Sequence, residues 1–121
     1  MPDRILVVED EPLLLDTVVA ELEDRAFAVA GASGGPEAFG LLAERSFDAL
    51  LTDIRLPGGI DGWTIAAQAR ERFPDIAIVY MSGYAPDPGR AVPPGVLLQK
   101  PFAIDALVNA LRRALDARAG R

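Results

Sequence analysis

Ala49-Leu50-Leu51-Thr52-Asp53 is the stretch on which the fold of this chain turns. Three apolar residues and a threonine end on a carboxylate, and a short apolar run bounded by polar residues reads as a buried strand. The pattern recurs. Ile5-Leu6-Val7-Val8 ends at Glu9-Asp10, Ile76 to Met81 ends at Ser82, and Val96-Leu97-Leu98 runs through Gln99 to Lys100-Pro101. A weaker strand falls around Phe27 to Ala32. Helical segments separate these runs, and strands alternating with helices predict a parallel sheet with helices on its faces. All strand C-termini then share one edge, where ligands bind. Three carboxylates, a hydroxyl and an ammonium would meet there.

Between the strands, apolar periodicity marks the helices. Pro12 fits the first turn of one, where its missing N–H costs nothing, and Leu14, Val18 and Leu22 form its inward stripe with Leu15 and Val19 alongside. Ser33-Gly34-Gly35-Pro36 opens a second, to about Arg45, with Ala38, Leu41 and Leu42 inward. A third runs from about Asp61 to Phe73 and stops at Pro74, with Trp63 assigned to packing or surface contact. The last, Ile104 to about Ala117, carries Leu107, Leu111 and Leu115 on one side, joined by Ile104 and Val108. Between Asp87 and Val92 at most one or two helical turns fit, because interior prolines cost about 3 kcal/mol each and five Pro or Gly residues crowd positions 86–94.

A length of 121 residues is that of one domain, and a hydrophobic half of the chain can bury a substantial core. We expect a single domain over residues 1–121 with no output domain. Twelve basic against eighteen acidic residues leave a net charge of -6, which repels a phosphate backbone and argues against nucleic acid as a partner. The late basic residues Arg112, Arg113, Arg118 and Arg121 read as complements to a helix C-terminus. With no cysteine and no histidine, disulfides, thiolate or imidazole metal sites and histidine-based acid–base catalysis are excluded. No leader-like N-terminus or membrane-length apolar stretch is present, so a soluble cytoplasmic protein is expected.

Glu9, Asp10 and Asp53 repel one another unless a cation neutralises them. Oxygen ligands without nitrogen or sulfur suit a hard ion such as Mg²⁺, which takes one or two carboxylates plus waters and phosphate oxygens. Taken singly, each acid reads as a solvated loop residue. Lys100 changes that, since its point charge can pair with Asp53 and with anionic ligand oxygens. No histidine is available to activate Ser82 as a nucleophile, so its hydroxyl reads as a donor toward phosphate oxygens.

On these residues the chain resembles the receiver domain of bacterial two-component response regulators over essentially its whole length. The matching motifs are Glu9-Asp10, Asp53 followed by Leu56-Pro57 and Asp61-Gly62, Ser82, and Lys100-Pro101-Phe102. Any one is weak; all of them in order at family-like spacing are specific. The resemblance implies a doubly wound, flavodoxin-like α/β fold of five parallel strands in the order 2-1-3-4-5, with the fourth helix short or irregular here. It implies that Asp53 accepts a phosphoryl group from a sensor histidine kinase or a histidine phosphotransfer protein. Asp10, Asp53 and the backbone carbonyl of Arg55 would bind Mg²⁺, with Glu9 acting through water. Lys100 would pair with the phosphoryl group and Ser82 would bond it as a switch, and the Lys100–Pro101 peptide would be cis. A monomer is expected, with a phosphorylation-dependent dimer as the alternative.

Three departures from the family pattern stand out. Many receivers carry an aromatic three residues before the lysine that rotates inward; here the position is Leu97, and Tyr84 is the candidate substitute. Gly83 replaces the usual small residue after the hydroxyl. The segment where the fourth helix belongs is crowded with proline and glycine, and the loop from Asp53 to Asp61 is also one residue longer than usual, with Gly58-Gly59 absorbing it. Tyr80-Met81-Ser82-Gly83-Tyr84 resembles a subgroup of stand-alone receivers with a Thr-Gly-Tyr-like fourth-strand end. Activation is then expected to order residues 83–92, and Arg55 and Tyr84 to flank the path of attacking water and set the phosphoryl lifetime.

The leading expectation is a phosphorylation-controlled switch that signals by protein contact and is not a conventional enzyme. A variant of it is the receiver module of a hybrid histidine kinase. An aspartate-nucleophile phosphatase needs a second acid two residues after the nucleophile, where Arg55 stands. A flavin- or nucleotide-binding domain needs a phosphate-cradling first loop, but Glu9-Asp10-Glu11-Pro12 repels phosphate.

Overall fold

The computed structural model describes residues 2–83 and 95–118. Five strands, β1 (Arg4–Val8), β2 (Ala28–Ala32), β3 (Ala49–Asp53), β4 (Ala77–Ser82) and β5 (Val96–Gln99), form one parallel sheet in the order β2-β1-β3-β4-β5. Among the described residues four helices connect or follow them: α1 (Pro12–Asp24), α2 (Gly35–Glu44), α3 (Gly62–Arg72) and α4 (Ile104–Asp116). The segment between Asp87 and Val92, where a short helix was expected, lies outside the described residues, as does Tyr84.

The continuous apolar runs have a simple cause: β1, β3 and β4 are covered on both faces. On one face Ile5, Val7, Leu51, Val79 and Met81 pack against α1 and α4 through Val18, Leu22, Leu107 and Leu111. On the other, Leu6, Val8, Leu50, Ile78 and Tyr80 pack against α2 and α3 through Ala38, Leu42, Ile65 and Ala66. Trp63 belongs to this second cluster, its ring edge-on to Tyr80 with centroids 4.5 Å apart. Burying a Leu or Ile side chain contributes roughly 1.5–3 kcal/mol, so these two clusters fix the sheet between its helices.

Local chemistry sets the helix boundaries. Pro12 occupies the first turn of α1. Glu37 in the first turn of α2 reaches back to the Ser33 N–H at 2.7 Å, and the Asp61 carboxylate caps α3 by accepting from the Thr64 N–H at 2.9 Å. Gly58 and Gly59, at φ of 81° and 78°, hold the left-handed conformations that turn the chain out of the β3–α3 loop.

Two of the arginines near the chain end, Arg112 and Arg118, depart from the expected role. Only Arg113 lies in the last turn of α4. The Arg112 guanidinium sits 5.3 Å over the Phe27 ring, and Arg118 donates to Asp48 Oδ1 at 3.0 Å and to its carbonyl at 3.2 Å. These two arginines tie the end of α4 to the start of β2 and β3, because partners there offer a ring face and a half-buried carboxylate. Arg121 lies outside the described residues.

Candidate functional site

The strand order reverses between β1 and β3, and the crevice outside their carboxyl ends is where an open parallel sheet binds ligands. Glu9 and Asp10 follow β1, and Asp53 is the last residue of β3, the central strand. Their carboxylate oxygens lie within 4.8 Å of one another. Glu9 is 1% exposed and Asp53 8%, whereas Asp10 is exposed.

Lys100, just beyond β5, reaches into this group. Its Nζ donates to Glu9 Oε1 at 2.6 Å and to Asp53 Oδ2 at 2.9 Å. Its backbone N–H donates to the Ser82 carbonyl at 2.8 Å, which anchors the residue to the end of β4, and the Lys100–Pro101 peptide is cis. The other Glu9 oxygen, Oε2, accepts from the Glu11 N–H at 3.0 Å at the start of α1. Three carboxylates therefore face one ammonium, which leaves a formal excess of two negative charges.

Burial pushes the Glu9 carboxyl above its ordinary value, against the opposing pull of the Lys100 and Glu11 hydrogen bonds, and the Asp53 charge adds to the rise. For Lys100, burial alone would lower the pKa, but the hydrogen bonds to Glu9 and Asp53 and their charges outweigh it and raise it. Both shifts follow from a poorly solvated acidic pocket that holds on to positive charge.

Ser82 ends β4, buried, on the face of the sheet that carries Tyr80. Arg55 is exposed two residues beyond Asp53, and Leu97 is 44% exposed on β5. The sequence assigned Lys100 to Asp53; its shorter contact with Glu9 carried no sequence signal, because position along a strand edge does not say which acid an ammonium will prefer. The oxygen-only donor set of Glu9, Asp10 and Asp53 fits a hard divalent cation such as Mg²⁺.

Comparison with known proteins agrees with this geometry. The response regulator receiver domain family matches residues 5–112, and the chain belongs to that family. It is 35% identical over 118 residues to the response regulator receiver protein CpdR of Brucella abortus, covering 94% of this chain and 98% of that protein. It is 31% identical to the sensor kinase CckA of the same organism, of whose length it spans 12%. Among solved structures, a response regulator receiver protein from Sinorhizobium medicae superposes with a TM-score of 0.89 at 36% identity, covering 96% of each chain. The receiver domain of the hybrid histidine kinase CckA gives a TM-score of 0.79 at 32% identity, covering 93% of this chain and 98% of that one. The protein is a receiver domain of the phosphorelay type, which displaces the phosphatase and flavin- or nucleotide-binding readings. Receiver domains bind Mg²⁺ at their acidic pocket and interact with histidine kinases or phosphotransfer partners. No helix among the described residues is long and apolar enough to cross a membrane.

Proposed function

We propose that Asp53 is the phosphoacceptor of a signalling switch, taking its phosphoryl group from the phosphohistidine of a sensor kinase or phosphotransfer protein. One Asp53 carboxylate oxygen bonds to phosphorus as the P–N bond of the phosphohistidine breaks. The electron pair stays on the imidazole nitrogen, which takes up a proton. The observation that carries this reading is the Lys100 ammonium held 2.9 Å from Asp53 Oδ2, at the point where charge develops on the transferring group. Phosphoryl transfer asks mainly for positioning and charge neutralisation.

Asp10, Asp53 and the Arg55 carbonyl would hold Mg²⁺, with Glu9 supporting through water; the bound ion supplies charge neutralisation for the phosphoryl oxygens. Lys100 keeps its contact with Glu9 while its other donors turn to the phosphoryl oxygens, and the Ser82 hydroxyl donates to the same group. The protein promotes its own phosphorylation and slow dephosphorylation without being a conventional enzyme, and Arg55, exposed two residues beyond Asp53, flanks the path of attacking water. Coverage of nearly all of CpdR supports a stand-alone switch over residues 1–121 that signals by protein contact. Likeness to the CckA receiver supports a second reading, a module of a hybrid kinase.

Intact mass after incubation with Mg²⁺ and acetyl phosphate tests the proposal. One phosphoryl adduct on the wild type and none on Asp53→Asn is the expected result. An adduct that persists in Asp53→Asn, or none on either protein, overturns it.

A further inference from the structure

The peptide bond that follows Asp53 is fastened on both sides. Its carbonyl oxygen accepts the Thr52 hydroxyl at 2.9 Å, and its N–H, on Ile54, donates to the Met81 carbonyl of β4 at 3.0 Å. The first residue of α3 closes the arrangement. Gly62 donates its N–H to the Ile54 carbonyl at 2.7 Å. A methyl group placed on its Cα would overlap the Asp53 carbonyl oxygen and lie 2.9 Å from both the Asp53 carbonyl carbon and Ile54 Cα. Those neighbours are backbone, so nothing there can swing aside.

Thr52 is wholly buried, paired in register with Val8 on β1 and Tyr80 on β4. A valine would occupy the same volume and suit a strand flanked by β-branched and aromatic neighbours. A hydroxyl at such a position costs desolvation unless it is bonded, and this one bonds the carbonyl of the reacting residue itself. The carboxylate and carbonyl of Asp53 branch from one Cα. A peptide plane held on both sides fixes the position of that Cα, and any shift of it carries the carboxylate with it relative to Lys100 and Asp10; a misplacement of about 1 Å at a reacting group can cost on the order of a hundredfold in rate.

We infer that Thr52 and Gly62 are positioning residues that clamp the peptide after Asp53 and so hold its carboxylate at the geometry of metal binding and phosphoryl transfer. This rests on the phosphoacceptor reading above. The clamp explains why α3 begins with glycine, where a residue with a side chain would lift the helix away from the site.

Two measurements on each protein test it: the Mg²⁺ affinity by calorimetry with the metal alone, and the rate of phosphorylation by acetyl phosphate at saturating Mg²⁺. Thr52→Val and Thr52→Ala are expected to lower the rate about three- to tenfold, the order set by losing one orienting hydrogen bond, and to weaken Mg²⁺ binding in the same direction. Thr52→Ser is expected to restore both, and Gly62→Ala to lose more than Thr52→Val. A role confined to stability would shift thermal unfolding and leave Mg²⁺ affinity unchanged. Wild-type affinity and rate in Thr52→Val and Thr52→Ala overturn the inference, as does a Thr52→Ser variant as impaired as Thr52→Val. Should Thr52→Val not fold, the Ala and Ser variants decide it by the same comparison. A wild-type protein without an Asp53-dependent adduct removes the phosphoacceptor reading instead, and the Mg²⁺ titrations still decide the clamp.

Discussion

Lys100 Nζ stands 2.6 Å from Glu9 Oε1 and 2.9 Å from Asp53 Oδ2, so one ammonium bridges the ends of the first and third strands from just beyond the fifth. The bridge spans the crevice at which the strand order reverses. It couples the residue proposed to accept phosphate to a carboxylate that is almost completely buried. Charge balance at this point decides both the stability of the site and its appetite for cations.

Lys100→Met should therefore destabilise the fold when no divalent ion is present. Breaking a buried pair leaves an uncompensated charge and costs about 3–5 kcal/mol; with Lys100 partly exposed, about 2 kcal/mol is expected. Urea unfolding in EDTA and again in excess Mg²⁺ checks this. The deficit should shrink when the ion is added, because the cation replaces part of the lost charge. An equal deficit under both conditions would show that packing, not charge, is the cause.

Glu9 supplies the pH dependence. Burial raises its pKa in the folded state above the ordinary 4.5. A raised carboxyl contributes stability that is present below the unfolded value and lost as pH rises through the folded one. Ionised Glu9 is thus a cost to the ion-free fold at neutral pH. In EDTA, Glu9→Gln should be more stable than the wild type at pH 7 and should lose that advantage at or below pH 4.5. Denaturation midpoints across this range measure it, and a Gln variant that is the less stable protein at pH 7 refutes the sign.

Much of this was legible in the sequence, and the reasons are physical. A two-sided apolar run must be a buried parallel strand, so β1, β3 and β4 and their chemical ends could be read directly. The motif groups then ordered the sheet by resemblance. What escaped were contacts chosen in three dimensions. Thr52 reads as one more β-branched strand residue, since only its bond to the Asp53 carbonyl distinguishes it from valine. Arg112 on α4 and Arg118 just beyond it reach Phe27 and Asp48, which are distant in sequence. Ala26 hid a helix terminus, because the usual glycine is missing.

That terminus yields a stability prediction. The Phe27 N–H donates to the Leu22 carbonyl at 3.2 Å and the Ala26 N–H to the Glu23 carbonyl at 3.0 Å, the paired bonds of a Schellman end to α1. Ala26 holds φ 67° there, a left-handed conformation that costs an L-residue roughly 1–2 kcal/mol. It is exposed, so no packing would be lost by removing its methyl group. Allowing for the greater entropy of glycine in the unfolded chain, Ala26→Gly should stabilise the protein by about 0.5–1 kcal/mol. That corresponds to a rise of about 2–6 °C in Tm. An unchanged or lowered Tm would contradict it.

Tyr80 offers a test of burial on the opposite face of the sheet. Burial pushes its phenol up to about 12, against a smaller lowering by Arg70, and the Trp63 ring lies edge-on to it. The folded pKa exceeds the unfolded value of 10.0. Its contribution to stability is therefore complete below pH 10, and is lost as pH rises through about 12. Unfolding supplies the alternative route to ionisation, since the exposed phenol gives up its proton more readily. In a Tyr84→Phe background, where Tyr80 is the one remaining tyrosine, phenolate absorbance should appear near pH 12 or together with the loss of Trp63 burial. Phenolate formed near pH 10 with tryptophan fluorescence still native would mean that Tyr80 meets solvent, and that the α3 face of the sheet is looser than its packing implies.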